Sequence, residues 1–236
     1  MPGRMKYHRF RMDRAALLSE LARRISGVKR PHPVRVAVDG PDASGKSMLA
    51  DELAGALRSG PRPVIRASLD SFHNPRDIRY RRGADSPEGY YQDSFDYDAL
   101  KLLLLVPLGP GGNRVCRTSA FYFRTDSPAP SPPLQAPPDS ILLFDGVFLL
   151  RAELINFWEY KIFVHADSEV LLRRAAGRDQ MLFGSPEQVE ARYRTRYLPG
   201  QQLYFEECDP RSLADAVVIN NDPRQPELQF PLQCET

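Results

Sequence analysis

The 236-residue sequence predicts an α/β fold in which a mostly parallel, five-stranded sheet carries helices on both faces. Three observations support this. Five short apolar runs recur along the chain: Val34 to Val38, Val64 to Leu69, Ile141 to Phe144, Ile162 to Val164 and Ala216 to Ile219. The segments between them are long enough to hold helices, as crossovers between parallel strands require. A glycine-rich turn, Gly40 to Ser47, joins the first run to a helical pattern.

In chain order, Met12 to Ile25 reads as an amphipathic helix, with Asp13 as its cap and Leu17, Leu18, Leu21 and Ile25 on one face. Residues 1–30 are thus expected to be an N-terminal helix with its flanks. Lys46 to Leu57 continues the glycine turn as a helix. Asp98 to Val106 is helical and is stopped by Pro107; Ser168 to Arg178 and Pro186 to Tyr197 are helical patterns within a lid region, 168–197. Six of the twelve residues from Ser127 to Pro138 are proline, so a small antiparallel insertion at 112–140 is expected to contain an exposed, extended loop. Val115 to Phe123 reads as a strand or hairpin beside the main sheet. Residues 221–236 read as a surface tail, and the whole chain as one domain.

Composition narrows the function classes. Lys plus Arg number 32 and Asp plus Glu 30, a net charge of +2 that argues against coating a polyanion by bulk charge. Only five of the cations are lysine, so each lysine is informative. The longest apolar run is five residues, too short to span a bilayer. The basic start, Met1 to Arg11, lacks the apolar core of a secretory signal. Cys116, Cys208 and Cys234 are widely spaced and odd in number, against a disulfide framework or zinc site. A reduced, cytoplasmic protein is expected.

The sharpest signal is Gly40-Pro41-Asp42-Ala43-Ser44-Gly45-Lys46-Ser47, which satisfies G-x-x-x-x-G-K-[ST] between a strand and a helix. Its backbone N–H groups and the helix N-terminus converge on a phosphate; Lys46 is expected to reach the β and γ phosphates, and Ser47 to ligate magnesium. Asp145, following four apolar residues, supplies the second metal ligand at the sheet's C-terminal edge. Asp70 stands at a strand end too, placed to accept the proton of an attacking hydroxyl.

These pieces, in this order, resemble the uridine kinase and phosphoribulokinase family of P-loop kinases. The likeness runs from Val34 to Asp222 through Gly40 to Ser47, Asp70 to Phe72, Ser94 to Leu100, Phe144 to Gly146, Arg174 to Asp179 and Ala214 to Val218. The resemblance implies transfer of the γ-phosphoryl group of ATP, with Mg2+, to a primary hydroxyl of a small molecule, in this family the 5′-hydroxyl of uridine or cytidine. It implies Asp70 as base, Asp96 on the acceptor's sugar hydroxyls and Arg178 as a lid arginine. Arg174, four residues before Arg178, shares its helix face. Expected acceptor-side walls are Phe72, His73, Tyr90, Tyr91, Phe121, Tyr122 and Arg124. Two departures stand out: Gln180 to Gly184 replaces further lid arginines, and no histidine follows Phe121 to Asp126 before His165.

Alternatives remain at this level. A sugar phosphate, a pantothenate-like alcohol or a nucleoside-type natural product is an equally formal acceptor. A guanine switch is disfavoured, because Asn220-Asn221-Asp222 lacks the lysine of an Asn-Lys-x-Asp element. A P-loop ATPase acting on protein or nucleic acid would need a basic stripe, and Arg76, Arg79, Arg81 and Arg82 form the one dense cluster. Arg192, Arg194 and Arg196 recur every second residue, so a helix would splay them, mostly onto the surface. The oligomeric state is open, a homo-oligomer included.

Overall fold

The computed structural model describes residues 7–231. Cys234 and the last residues of the expected tail, 232–236, lie outside the described residues.

Strand β1 (Tyr7–Arg11) leads into helix α1 (Arg14–Gly27), whose N-terminal N–H of Ala16 is capped by Asp13 at 2.8 Å. There follow β2 (Val34–Asp39), α2 (Lys46–Arg58) and β3 (Val64–Ser68). A tight 3₁₀ turn, Leu69–Phe72, then opens a run of short helices, α3 (Arg76–Arg79), α4 (Pro87–Asp93) and α5 (Tyr97–Leu100). The insertion holds two-residue strands β4 (Val115–Cys116), β5 (Phe121–Tyr122), β6 (Ser127–Pro128) and β7 (Leu134–Gln135), paired β4 with β7 and β5 with β6. The chain returns to the sheet as β8 (Ile141–Gly146) and β9 (Tyr160–His165). Helices α6 (Ser168–Arg178), α7 (Gln180–Phe183) and α8 (Pro186–Arg192) occupy the expected lid region; α9 (Leu198–Cys208), α10 (Pro210–Leu213), β10 (Ala216–Ile219) and β11 (Glu227–Pro231) complete the fold.

The main sheet has the order β1-β11-β10-β9-β2-β8-β3. Its five strands from β10 to β3 are parallel, as expected; β11 and β1 extend it antiparallel to seven. Both additions correct the sequence reading. The 221–236 tail contains a strand, β11, that lies between β1 and β10 with Leu228, Gln229 and Phe230 buried, and the helix of residues 1–30 is preceded by the edge strand β1. Pro226 precedes β11 and Pro231 is its last residue, and two prolines around so short a segment obscured its strand signal.

Burial explains the two layers. Leu17, Leu21 and Ile25 of α1 and Leu49, Leu53 and Leu57 of α2 pack on one face of the sheet with Val34, Val36 and Val38. The alternate residue Ala37 and Phe144, Phe163 and Val217 turn to the other face, against Tyr91, Phe148 and Tyr204. The strands read as continuous apolar runs because helices cover both sides. Cys116 and Cys208 are free thiols. Among the described residues no helix is long and apolar enough to cross a membrane.

Candidate active site

The phosphate loop leaves β2 at Asp39 and enters α2 at Lys46. Gly45 sits at φ +90°, and a Cβ there would stand 2.6 Å from Asn220 Nδ2, so both conformation and space require glycine. From outside, Asn220 Nδ2 donates to Ser44 O at 2.7 Å. Arg174 also braces the loop, donating to Ser44 O at 3.3 Å and to Asn220 O at 2.7 Å. Burial lowers the Arg174 pKa, its neighbour Arg173 adding to the effect.

Inside the loop, Lys46 Nζ is 3.4 Å from Pro41 O and 3.7 Å from Asp42 Oδ1. The other Asp42 oxygen accepts from the Tyr90 hydroxyl at 2.5 Å and Gln201 Nε2 at 3.1 Å. Helices α4 and α9 therefore both grip the loop through one carboxylate. Behind it, Asp39 is fully buried and accepts from Tyr204 Oη at 2.6 Å and Leu149 N at 3.2 Å. Burial pushes its pKa up to about 6 against those bonds.

At the loop's far end the Ser47 hydroxyl hydrogen-bonds Asp145 Oδ2. The other oxygen, Oδ1, lies 2.7 Å from Arg66 NH1 yet is buried without a well-aligned donor. A hydroxyl and a carboxylate meeting at a phosphate loop suit a hard divalent cation. Among the described residues no group of three or more His, Cys, Asp or Glu forms a cage. The donor set fits magnesium that completes its shell with phosphate oxygens and water.

Asp70 lies on the turn after β3 and is solvent-accessible, its carboxyl group crowded by the surrounding protein. Enclosure raises its pKa; the charges of His73 and Lys46 oppose that rise, while Asp42 and Asp145 reinforce it. Four groups predicted from distant parts of the sequence thus share one electrostatic environment. His73 Nδ1 bonds Asp70 O at 2.9 Å, and its ring lies 4.6 Å from Phe95 and 4.9 Å from Phe123. Burial lowers the His73 pKa, favouring neutral imidazole.

The remaining acceptor-side candidates divide. Asp96 is half-buried; it caps α5 by accepting from Ala99 N at 2.8 Å, and its own N–H donates to Phe72 O at 2.8 Å, which holds it beside the Asp70 turn. Tyr122 and Arg124 are exposed, flanking the Phe123 that covers His73. Phe72 and Tyr91 are not acceptor-side walls. Phe72 is wholly buried against Phe144, and Tyr91 packs on Phe148 with its hydroxyl at Cys208 Sγ. Both face the core because the turn and α4 present their opposite sides to solvent.

In the lid, Arg178 donates to both oxygens of Asp179, at 2.7 and 2.9 Å, and to Tyr193 Oη at 3.1 Å. Asp179 raises its pKa most, with Tyr193 and Asp42 adding to the effect. Arg196 departs from the surface expectation: it is 2% exposed and donates to Ala84 O at 2.8 Å and Ser86 O at 3.1 Å. In the basic cluster, Arg81 and Arg82 both pair with Asp93, and Arg79 pairs with Asp126 at 2.9 Å. A cavity of about 650 Å³ is lined by Pro41, His165, Ser168, Arg194, Gln201 and Phe205; Asp70, Ser47 and Asp145 do not line it.

No protein-family model matches the chain. Solved structures do. A possible uridine kinase from Bacillus stearothermophilus superposes with a TM-score of 0.67 at 20% identity, covering 86% of this chain and 97% of that one. A candidate fructose transport system kinase from Silicibacter sp. TM1040 does so with a TM-score of 0.65 at 22% identity, over 84% and 96%. The chain has the fold of the uridine kinase-like P-loop kinases. Curated proteins match part of it, two of them as follows. The tRNA-specific adenosine deaminase subunit tad2 of Schizosaccharomyces pombe is 25% identical over 141 residues, 59% of this chain and 32% of that protein. Uridine-cytidine kinase B of Dictyostelium discoideum is 29% identical over 149 residues, 63% of this chain and 59% of that protein. The chain therefore spans less than two thirds of either relative's length.

Against this P-loop kinase fold, the sequence reading missed Asp39, Arg66, Gln201, Tyr204 and Asn220. Arg66 alone carried a signal, as a charged residue inside an apolar strand.

Proposed function

We propose that this chain is an ATP- and magnesium-dependent kinase that phosphorylates a primary hydroxyl of a small molecule. The observation that carries the reading is Asp70, raised in pKa and set in the field of Lys46 and Asp145 beside a complete phosphate loop. Bound ATP supplies the γ-phosphoryl group, and magnesium neutralises charge on the phosphate oxygens. Lys46 and the amides of Gly40 to Ser47, with Asp42, Ala43 and Ser44 at the bend, hold the phosphates. Ser47 and Asp145 hold the metal. Asp70 takes the acceptor's proton as the hydroxyl attacks in line. Arg178 stabilises charge on lid closure, Arg174 keeps the loop in shape from outside, and closure keeps water from competing as acceptor.

The acceptor we favour is a nucleoside, through the 5′-hydroxyl of uridine or cytidine. Asp96 would hold the sugar hydroxyls, and His73, Tyr122 and Arg124 would contact the base. Supporting this reading are the motif order and the aromatic pair that fixes His73. A protein or nucleic-acid ATPase is disfavoured, because three of the four arginines at 76–82 are paired within the fold. The test is a panel of nucleosides, sugars and polyols incubated with ATP and magnesium, with products read by mass. A nucleoside monophosphate is the expected product. A phosphorylated sugar or polyol with nucleosides untouched rejects the acceptor but keeps the chemistry; ATP consumption without any phosphorylated product rejects the kinase.

A further inference from the structure

Arg66 lies in the middle of β3, where the side-chain alternation turns Ile65 and Ala67 to one face and Arg66 to the face that carries α2. From there its guanidinium reaches two carboxylates. Nε donates to Asp51 Oδ1 at 2.8 Å, and NH1 lies 2.7 Å from Asp145 Oδ1. Asp51 is one helical turn beyond Ser47, so the arginine clips the helix that begins at the phosphate loop to the strand that ends at the metal corner. Asp145 is 1% exposed, and a carboxylate so enclosed needs a cation or a full set of donors. Ser47 satisfies one oxygen, and Arg66 supplies charge to the other.

We infer that Arg66 is a positioning residue that stands in for the divalent cation at Asp145: it neutralises and orients the carboxylate in the nucleotide-free protein, and its charge keeps the metal out until phosphates arrive. The inference rests on the assignment of Ser47 and Asp145 as the metal corner. The local charges support it. Arg66 lies between Asp145 and the exposed Asp51, and Lys46 pairs with Asp42, so Arg66 is the cation set directly against Asp145. An incoming divalent ion meets, at Asp145, a carboxylate whose charge Arg66 already offsets. The triphosphate changes that balance by adding several negative charges on the side away from Arg66.

The test uses Mn2+ as the probe, read by the loss of its free electron paramagnetic resonance signal on full-length protein. Wild type without nucleotide should bind Mn2+ weakly, and a non-hydrolysable ATP analogue should tighten binding strongly. Arg66→Gln should tighten nucleotide-free binding roughly tenfold or more, since a unit charge about 6 Å from a divalent ion is worth that much even with aqueous screening. Arg66→Lys, which keeps the charge, should stay close to wild type. Unchanged or weaker binding in R66Q overturns the proposal and leaves the kinase reading untouched. So does tight Mn2+ binding to nucleotide-free wild type, which needs no variant to fold. Tighter binding in R66Q that survives Asp145→Asn overturns the metal corner itself, and this proposal with it.

Discussion

Asp39→Asn probes the ground on which the phosphate loop stands. Asp39 is the last residue of β2, fully buried, with Tyr204 and Leu149 as its donors. Burial moves its pKa from the ordinary 3.8 up to about 6. The folded state therefore prefers the protonated acid. Below about pH 3 neither state is ionised and nothing is lost. Between about 3 and 7 the unfolded chain ionises first, and stability falls as pH rises; above about 7 the full cost of ~3 kcal/mol remains. Asparagine cannot ionise and lacks this fall. Its amide also matches only one of the two donors, so the absolute stability of the variant is not the diagnostic quantity. The diagnostic quantity is the difference between the two proteins' unfolding free energies as a function of pH, in which other titrating groups cancel. Trp158, the sole tryptophan, is 5% exposed, stacks on Phe144 and donates to Leu149 O, so its fluorescence reports loss of this core in urea. Wild type should lose ~3 kcal/mol relative to Asp39→Asn between about pH 3 and 7. A flat difference would refute a buried, ionisation-penalised Asp39.

Three further outcomes test the site and its supports. Asp70→Asn should keep nucleotide affinity and lower turnover by roughly 10² to 10⁴; in wild type, kcat/KM should fall as pH drops through a value above the ordinary aspartate pKa, because the ionised form is the base. Turnover near wild type would remove Asp70 from that role. Lys46→Ala should weaken ATP binding about tenfold to a hundredfold in calorimetry and lower transfer with it, since a charge-assisted contact to phosphate is lost; undiminished phosphotransfer would sink the loop assignment. Arg196→Ala should cost about 2–4 kcal/mol in urea unfolding, because a side chain 2% exposed, which ties the 83–86 backbone to its own helix, loses its packing and its hydrogen bonds together. A loss under about 1 kcal/mol would mean that water replaces it.

The legible part of the site was local. Gly40 to Ser47 and the Ile141 to Asp145 run state their geometry in consecutive residues, because a strand end and a helix start fix where their backbone and side chains point. The Asp70 turn was legible for the same reason. Phe72 and Tyr91, both read as cleft walls, turned inward, since an aromatic side chain suits either place and the neighbouring layers decide. Arg196 shows the converse: every-second-residue spacing predicts surface, but the 79–86 segment folds over it and offers carbonyls. Strand β11 was hidden because prolines bound it and one of its two partners, β1, lies at the opposite end of the chain.

By itself, then, the order of residues determined the parallel α/β class, the phosphate loop and the three acidic or hydroxyl groups that accompany it. Those features depend on the periodicity of short segments. Tertiary contact alone brought Asn220 to Ser44, Tyr90 and Gln201 to Asp42, and Arg66 to Asp145, across separations of 48 to 176 residues. Such pairs arise where burial leaves a polar group that must find a partner, and which partner it finds depends on how the layers pack.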